Sequence, residues 1–473
     1  ALFGSFLFII LGKRRFFIVF FIIALIYVPL RISLYEKTDS DDLYNVSIEG
    51  TVDSFVDETQ YGESFYISDL RVDGKRLSGS AHVPVVFGGA DGEIKQGKRI
   101  VFKGDISKRY LNPKSSFSVS FYTSRRFYSA KPLSVITVKD GVFGAAAFRQ
   151  NVYDGMSKFM SKSDAGTAYA LIFGDNKGMD DESVAAFKST GLTHIFAVSG
   201  LHYGFLFTLS AFILDKLKFK RQPYKNILIF GIFIAFAFVC GFSPSIMRSV
   251  IMITVYMYAE SIGRKRDALN TLCFAAVIIL IINPLYLFDI GFELSLFAVL
   301  GITLFYRKLR ESFSRLTDKL ESKKVAMKFV IKIIKSLVDT VCVGISANIG
   351  VFPLICFYFG GLPIISILSN VIVVPVVSVL FPFVLVVSVL GFFLPNLYAL
   401  FSISDAIIDA VNKIVGVMAK ADIYLNVPFG DNAAAAWFLI LLYYFALIYF
   451  SDIYRGPRLF RKLSKRHVDA SQR

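Results

Sequence analysis

The feature that most restricts this chain is its series of long apolar runs, separated by short turns or basic loops. A helix needs about 20 consecutive apolar residues to cross the hydrocarbon core of a bilayer. Runs of that kind lie at 16–34, 191–214, 226–243, 245–262, 268–283, 290–306, 336–359, 362–394 and 433–451, with a partial one at 1–11. A soluble core does not use so much apolar length: 55% of the 473 residues are hydrophobic and only 19% are charged. The runs predict a polytopic α-helical membrane protein. Residues 1–35 form an N-terminal transmembrane hairpin whose first part is expected to be incomplete, and no cleavable leader is evident before Lys13. The four cysteines fall inside apolar runs without CxxC spacing, so neither disulfides nor a metal site is expected.

Positive charge orders these runs across the bilayer. Basic loops stay on the cytoplasmic side, so Lys13, Arg14 and Arg15 put the loop before 16–34 inside and segment 36–140 outside. "KLKFKRQPYK" (216–225), "GRKRD" (263–267) and "RKLR" (307–310) then fall inside, while the turns at 243–245 and 283–289, without Lys or Arg, fall outside. Loop 307–335 holds ten Lys or Arg against three acids, which predicts an amphipathic tract on anionic inner lipid. The run 362–394 is long for one crossing. A break near "SNVIVVP" or Pro382 with a return would put the basic tail 455–473 in the cytoplasm, and a single crossing would put it outside; the break is the preferred reading. The stretch 397–425, with Asp405, Asp409, Lys413 and Lys420, is expected to lie along the interface, and 141–190 to form an amphipathic interfacial connector.

Segment 36–140 has another pattern. Period-two alternation in "NVSIEGTVDSF", "ESFYISDLRV", "RIVFKGDI", "FSVSFYT" and "LSVITV" predicts an all-β domain, with an OB-like barrel as the candidate. Residues 36–73 hold eleven acids and two bases, whereas 75–139 hold thirteen Lys or Arg. Aromatic residues interleave with bases at Lys108, Arg109 and Tyr110 and at Arg125, Arg126, Phe127 and Tyr128. That pairing of stacking faces with cations suits single-stranded nucleic acid; an ordinary barrel surface over core aromatics is the alternative.

Polar residues inside the apolar runs are the other informative group. "HIFAVSGLHYGFL", "SPSIMRSVIMITVYMYAESIGRKRDALNTL" and "NPLYLFDIGFELSLFAVLGI" follow one another in order, with a weaker echo in "SNVIVVP". Together these resemble the competence domain of the ComEC family, DNA-internalisation channels of the inner membrane of transformable bacteria. The resemblance implies a channel domain at 191–454 that passes single-stranded DNA to the cytoplasm, with 36–140 binding incoming DNA. It implies His194, Ser199, His202, Ser243, Arg248, Asn283, Asp289, Glu293, Ser295 and Asn370 as channel-lining or gate residues. Gly200, Gly204, Asp267, Asn270, Pro284 and Gly291 are implied as structural motif positions. The partners it implies are single-stranded DNA, membrane lipids, a DNA receptor and a separate nuclease outside, and a cytoplasmic DNA motor. Two departures stand out. Glu293 occupies a place where the family commonly has glutamine. An H-x-H-x-D-H motif, carried by a C-terminal metallo-β-lactamase-like domain in many members, is absent, so that domain is expected to be lacking here.

The residue chemistry leaves several readings open. Ser199 and His202 are three apart and share a helix face; Asp289 and Glu293 are four apart. Buried polar groups in spans either bond to one another or face a watery path. His194 and His202 are eight apart, which disfavours a zinc site, and no hydrolase or ATPase motif occurs; no cofactor is expected. Alternatives to a channel are a membrane-embedded acid–base enzyme using His202 with Asp289 or Glu293, and a membrane-anchored protein whose barrel does the binding. Arg248 is placed to meet a phosphate or to pair with Asp289, and Gly200 with Gly204 to permit a helix break or close packing.

Overall fold

A computed structural model describes residues 42–59, 62–85, 89–109, 126–141, 144–219, 221–261, 263, 268–317, 325–421, 424–426, 439–440 and 442–444. The expected runs at 1–11 and 16–34, most of 433–451, the tail 455–473, Tyr110, Arg125 and Asp267 lie outside them. The chain divides into two units, Leu30–Leu296 with Pro363–Ile423, and Ala1–Pro29 with Phe297–Leu362 and Tyr424–Arg473.

The first unit begins with a small β-barrel. Its strands are β1 (Leu43–Val52), β2 (Asp57–Thr59), β3 (Gly62–Val72), β4 (Lys75–Arg76), β5 (Ala81–Val85), β6 (Arg99–Lys108), β7 (Tyr128–Pro132) and β8 (Thr137–Lys139). The order is β1-β3-β5-β7-β6, and β6 pairs back onto β1, so five strands close into a ring; β5 and β7 are parallel. Closure leaves the ring without an open edge. Alternation along β3 turns Phe65 and Ile67 into a core shared with Ile48, Val52, Ile100, Phe102 and Tyr128, while Tyr66 points outward. Leu285, far along the chain, joins this core.

Helices α1 (Ala145–Ser157), α2 (Lys162–Phe173) and α3 (Asp181–Ser189) follow. Residues 141–190, expected as an interfacial connector, hold these three helices. In α2 every residue from Asp164 to Phe173 is buried, between a Ser161 cap and a left-handed Gly174. Gly166 permits the closest approach: a Cβ there would sit 2.0 Å from the Gly178 carbonyl. Around α2 pack α4 (Gly200–Lys216), α5 (Gln222–Cys240), α10 (Ser366–Phe393) and α11 (Phe401–Ala419). Helices α6 (Pro244–Ser261) and α7 (Ala268–Ile282) extend the bundle.

The second unit holds the C-terminal part of α8 (Ile290–Thr317) and α9 (Val325–Phe359). Gly301 and Gly350 let these two helices touch: added Cβ atoms would lie 2.4 Å from the Ser346 carbonyl and 2.2 Å from the Phe297 carbonyl. Pro353 cannot donate to the carbonyl four residues back, Ile349, and the Tyr443 hydroxyl donates there instead at 2.7 Å.

Five described helices are long and apolar enough to cross a membrane: Thr193–Lys216, Pro223–Cys240, Ile290–Phe313, Ile334–Phe359 and Ser366–Phe393. The chain is a multi-pass membrane protein. Helix α7, expected as a span, is apolar but has 15 residues. One expectation is corrected. The run 362–394 does not break and return, because α10 continues through Pro375 and Pro382 as one helix of 28 residues. The basic segment 307–335, expected as an amphipathic tract, is helical where it is described, extending α8 to Thr317 and starting α9 at Val325.

Candidate functional site

Two places gather the chemically active residues. The first lies where the barrel meets α1, α2 and the turn 176–178 that follows α2. Arg149 of α1, 9% exposed, donates to the Asp53 carbonyl (2.6 Å), the Asp53 carboxylate (3.0 Å) and the Val239 carbonyl at the end of α5 (2.7 Å). The Tyr169 hydroxyl of α2 donates to Gln96 at 3.0 Å, and Phe55 packs edge-on against Tyr153 and Tyr169. Buried charge and aromatic area thus fasten the barrel to the helices.

Above this joint the barrel surface is cationic. The β3–β5 register sets Tyr66 beside His82, with ring centroids 5.1 Å apart. The Arg126 guanidinium lies 4.0 Å from the Tyr66 ring centroid and the Lys177 ammonium 4.8 Å from it. Burial, with the charges of Arg109, Lys177 and Arg126, pulls the His82 imidazole down to about 4 against the opposing effect of Asp57. Of the residues read as a stacking surface, Lys108, Arg109 and Arg126 are half-buried, but Phe127 and Tyr128 face the core, 8% and 4% exposed. Those two aromatics are not open to stack on a ligand: alternation along β7 turns Tyr128 inward, and Phe127, just before the strand, is buried beside it in the barrel core. Tyr66, His82 and Lys177 were not marked by the sequence. The outward phase of Tyr66 is legible in "ESFYISD", but its neighbours come from register and from a distant turn.

The second place is the membrane motif region. Ser199 caps α4, and its hydroxyl accepts from the Leu201 N–H. His202, 2% exposed, accepts the Ser199 N–H at Nδ1 (3.2 Å) and places Nε2 3.2 Å from the Leu171 carbonyl. An accepting Nδ1 carries no proton, so Nε2 carries it and donates. The ring is neutral, satisfied at both nitrogens, and edge-on to Phe381 at 4.3 Å. The expected pairing of His202 with Asp289 or Glu293 is therefore not made. His194 sits exposed in the turn Thr193–Ile195, with Nδ1 3.0 Å from the Gly191 carbonyl. The helix starts at Gly200 and runs unbroken through Gly204, where an added Cβ would meet nothing within 4 Å. Gly204 makes neither the expected break nor close packing.

Helix α6 opens at Ser243, and Ser245 lies 3.5 Å from Ser295 of α8. Arg248, one turn in, is 7% exposed. Its Nη1 reaches only the Met252 sulfur at 3.9 Å, its Nε has no partner, and no carboxylate pairs with it among the described residues. The expected Arg248–Asp289 pair is absent. Asp289 instead accepts the Phe292 N–H at 2.9 Å and starts α8, with Gly291 tight beside its carboxylate. Asn283, buried, caps the turn Pro284–Phe288 through the Leu285 N–H. Glu293 is buried, Asn270 exposed, and Asn370 has a buried carbonyl oxygen without a partner among the described residues. Among the described residues no cluster of His, Cys, Asp or Glu could hold a metal ion.

The family model described as Competence protein matches residues 171–451, which include every membrane motif above. ComE operon protein 3 of Bacillus subtilis is 24% identical over 286 residues, covering 59% of this chain and 33% of that protein. Recombination protein 2 of Haemophilus influenzae is 23% identical over 372 residues, covering 76% of this chain and 44% of that protein. Competence protein ComA of Neisseria gonorrhoeae is 30% identical over 137 residues, covering 28% and 20%. The chain spans less than half the length of these relatives. No solved structure matches it. With more than half of its residues inside the matching model and its polar motifs in the expected order, the chain belongs to the competence protein family.

Proposed function

We propose that this protein is an inner-membrane channel that passes single-stranded DNA into the bacterial cytoplasm during natural transformation, with the barrel outside and binding the incoming strand. The observation that carries this reading is Arg248, a buried guanidinium inside the helical bundle with no carboxylate beside it among the described residues. Such a charge is costly unless an anion or water reaches it. A passing phosphate backbone supplies both the charge and the acceptor oxygens. Ser245 and Ser295 on the neighbouring helix faces add hydroxyls. The Asn370 oxygen on α10, without a partner among the described residues, is a further polar group inside the bundle.

The barrel supports the same reading. Its ring order with one parallel pair, β5 with β7, is compatible with an OB-like fold, whose surfaces bind oligonucleotides. The matching of the membrane motifs to proteins named for competence and recombination points the same way. In this reading His202 positions the start of α4 against α2 and does not touch DNA. The chain has no ATPase motif, so a cytoplasmic motor would drive transport, with a receptor and nuclease outside. The test is conductance of the purified chain in planar bilayers. A channel gives discrete current steps that single-stranded DNA interrupts, and Arg248→Gln shortens the interruptions. A silent bilayer, with the chain folded and inserted, refutes the channel.

A further inference from the structure

The cationic cluster over the barrel–helix joint is not explained by folding. Two cations crowd one tyrosine ring, at 4.0 Å and 4.8 Å, and a third, Arg109, is near enough to act on His82. Among the described residues neither Arg126 nor Lys177 makes an ion pair. Among the described residues, Asp57 is the one carboxylate that acts on His82. Cation–π attraction to the Tyr66 ring offsets part of the mutual repulsion of these cations.

The cluster is also held in place from several directions. Tyr66 is anchored through its backbone, its N–H on the Ser54 hydroxyl and its carbonyl accepting from Asp53. Asp53 is the residue that Arg149 grips. Lys177 rides on a turn pressed between Phe55 of the barrel and Gly166 of α2: a Cβ on Gly178 would meet Phe55 at 3.2 Å, and one on Gly166 would meet the Gly178 carbonyl. Arg126 leads directly into β7, and Arg109, just past β6, donates its N–H to the Phe127 carbonyl. Three separate segments therefore deliver cations to one pair of half-buried rings.

We propose that Tyr66, His82, Arg126 and Lys177 form a phosphodiester-binding site for single-stranded DNA at the joint between barrel and helices. This rests on the DNA-uptake reading and deepens it by fixing where the strand leaves the barrel. The planar guanidinium of Arg126 can take a phosphate through two N–H groups and extend the Tyr66 stack toward a base. Lys177 contributes a point charge from the helical side. His82, neutral, contributes one N–H donor.

The experiment measures binding of an end-labelled oligothymidylate by fluorescence anisotropy to the full chain in detergent, across a salt series. Each single-strand phosphate contact contributes about 0.7 to the slope of log affinity against log salt. Arg126→Gln with Lys177→Gln should lower the slope by about 1.4 and weaken binding about ten-fold at low salt. The charge-keeping pair Arg126→Lys with Lys177→Arg should retain most of the slope, which separates charge from damage. Removing two exposed charges elsewhere on the barrel, Lys75→Gln with Arg76→Gln, should change it far less. Titration of His82 by NMR gives a second readout: bound DNA offsets the neighbouring cations and raises the pKa from about 4. A parent that binds while the double glutamine variant keeps its slope, or while His82 does not shift, overturns this site and leaves DNA uptake standing. Equal losses in the Lys75 and Arg76 control, or full loss in the charge-keeping pair, overturn it too. A parent that binds no DNA overturns both.

Discussion

Arg149 offers the sharpest test of how the barrel is fixed to the helical core. Replacing it with methionine keeps the aliphatic length and removes three charge-assisted hydrogen bonds, at 2.6, 2.7 and 3.0 Å. Hydrogen bonds to charged groups contribute about 1.5–3 kcal/mol each. The Asp53 side chain is 49% exposed and rehydrates when released, so the three values do not simply add. Breaking a buried pair costs about 3–5 kcal/mol, and the exposure of Asp53 places this case near the lower end, about 3 kcal/mol. The Asp53 N–H donates to the Tyr66 carbonyl and the Tyr66 N–H to Ser54, so both amides report on the joint. Amide exchange at those positions should quicken about 150-fold in Arg149→Met, since each 1.36 kcal/mol is a factor of about ten. Arg149→Lys should recover only part of this, because one ammonium cannot span Asp53 and Val239 together. An increase below about three-fold in the methionine variant, or full recovery with lysine, would refute the account of the joint.

Two glycines should behave in opposite ways. Gly166→Ala forces a Cβ to within 2.0 Å of a carbonyl oxygen and should destabilise the helical core by about 1–3 kcal/mol or prevent folding, as read by thermal melting in detergent. Gly204→Ala meets open space in mid-helix and should stabilise by up to about 1 kcal/mol in the same measurement. The His82 imidazole, lowered to about 4 from its usual 6.5, should make stability depend on pH. Between those values the unfolded chain binds the proton and the folded chain does not, so stability falls as pH drops from 6.5 toward 4. His82→Gln should flatten that part of the profile in melting curves taken across the range.

The sequence was most informative where one period governs an element. Continuous apolar runs marked α4, α5, α8, α9 and α10, and period-two alternation marked β1, β3 and β6. The order of the polar motifs was enough to indicate the family. Register and long-range contact were not legible. Phe127 and Tyr128 looked like stacking residues because bases surround them, yet strand phase turns Tyr128 inward and Phe127, before the strand, packs into the same core. Tyr66 and His82 become neighbours only through the β3–β5 pairing, and Lys177 reaches them across more than ninety residues of chain. His202 invited a gate or an acid–base role because histidine is rare here, but its two nitrogens close a helix cap and grip α2. Prolines suggested a break in 362–394, where the packed surroundings of α10 instead carry them within a continuous helix.

If this chain is the proposed channel, single-stranded DNA should pass into sealed vesicles that carry it. Purified protein would be reconstituted into liposomes that enclose a DNA-binding dye, and labelled single strands added outside with an external nuclease to remove what stays there. An inward electrical potential or the enclosed binder would stand in for the motor. Internal, nuclease-protected strands are expected with the parent and a marked loss with Arg248→Gln, while binding at the barrel and thermal stability are unchanged. Strands that bind outside and never become protected, with the chain inserted and folded, would contradict it.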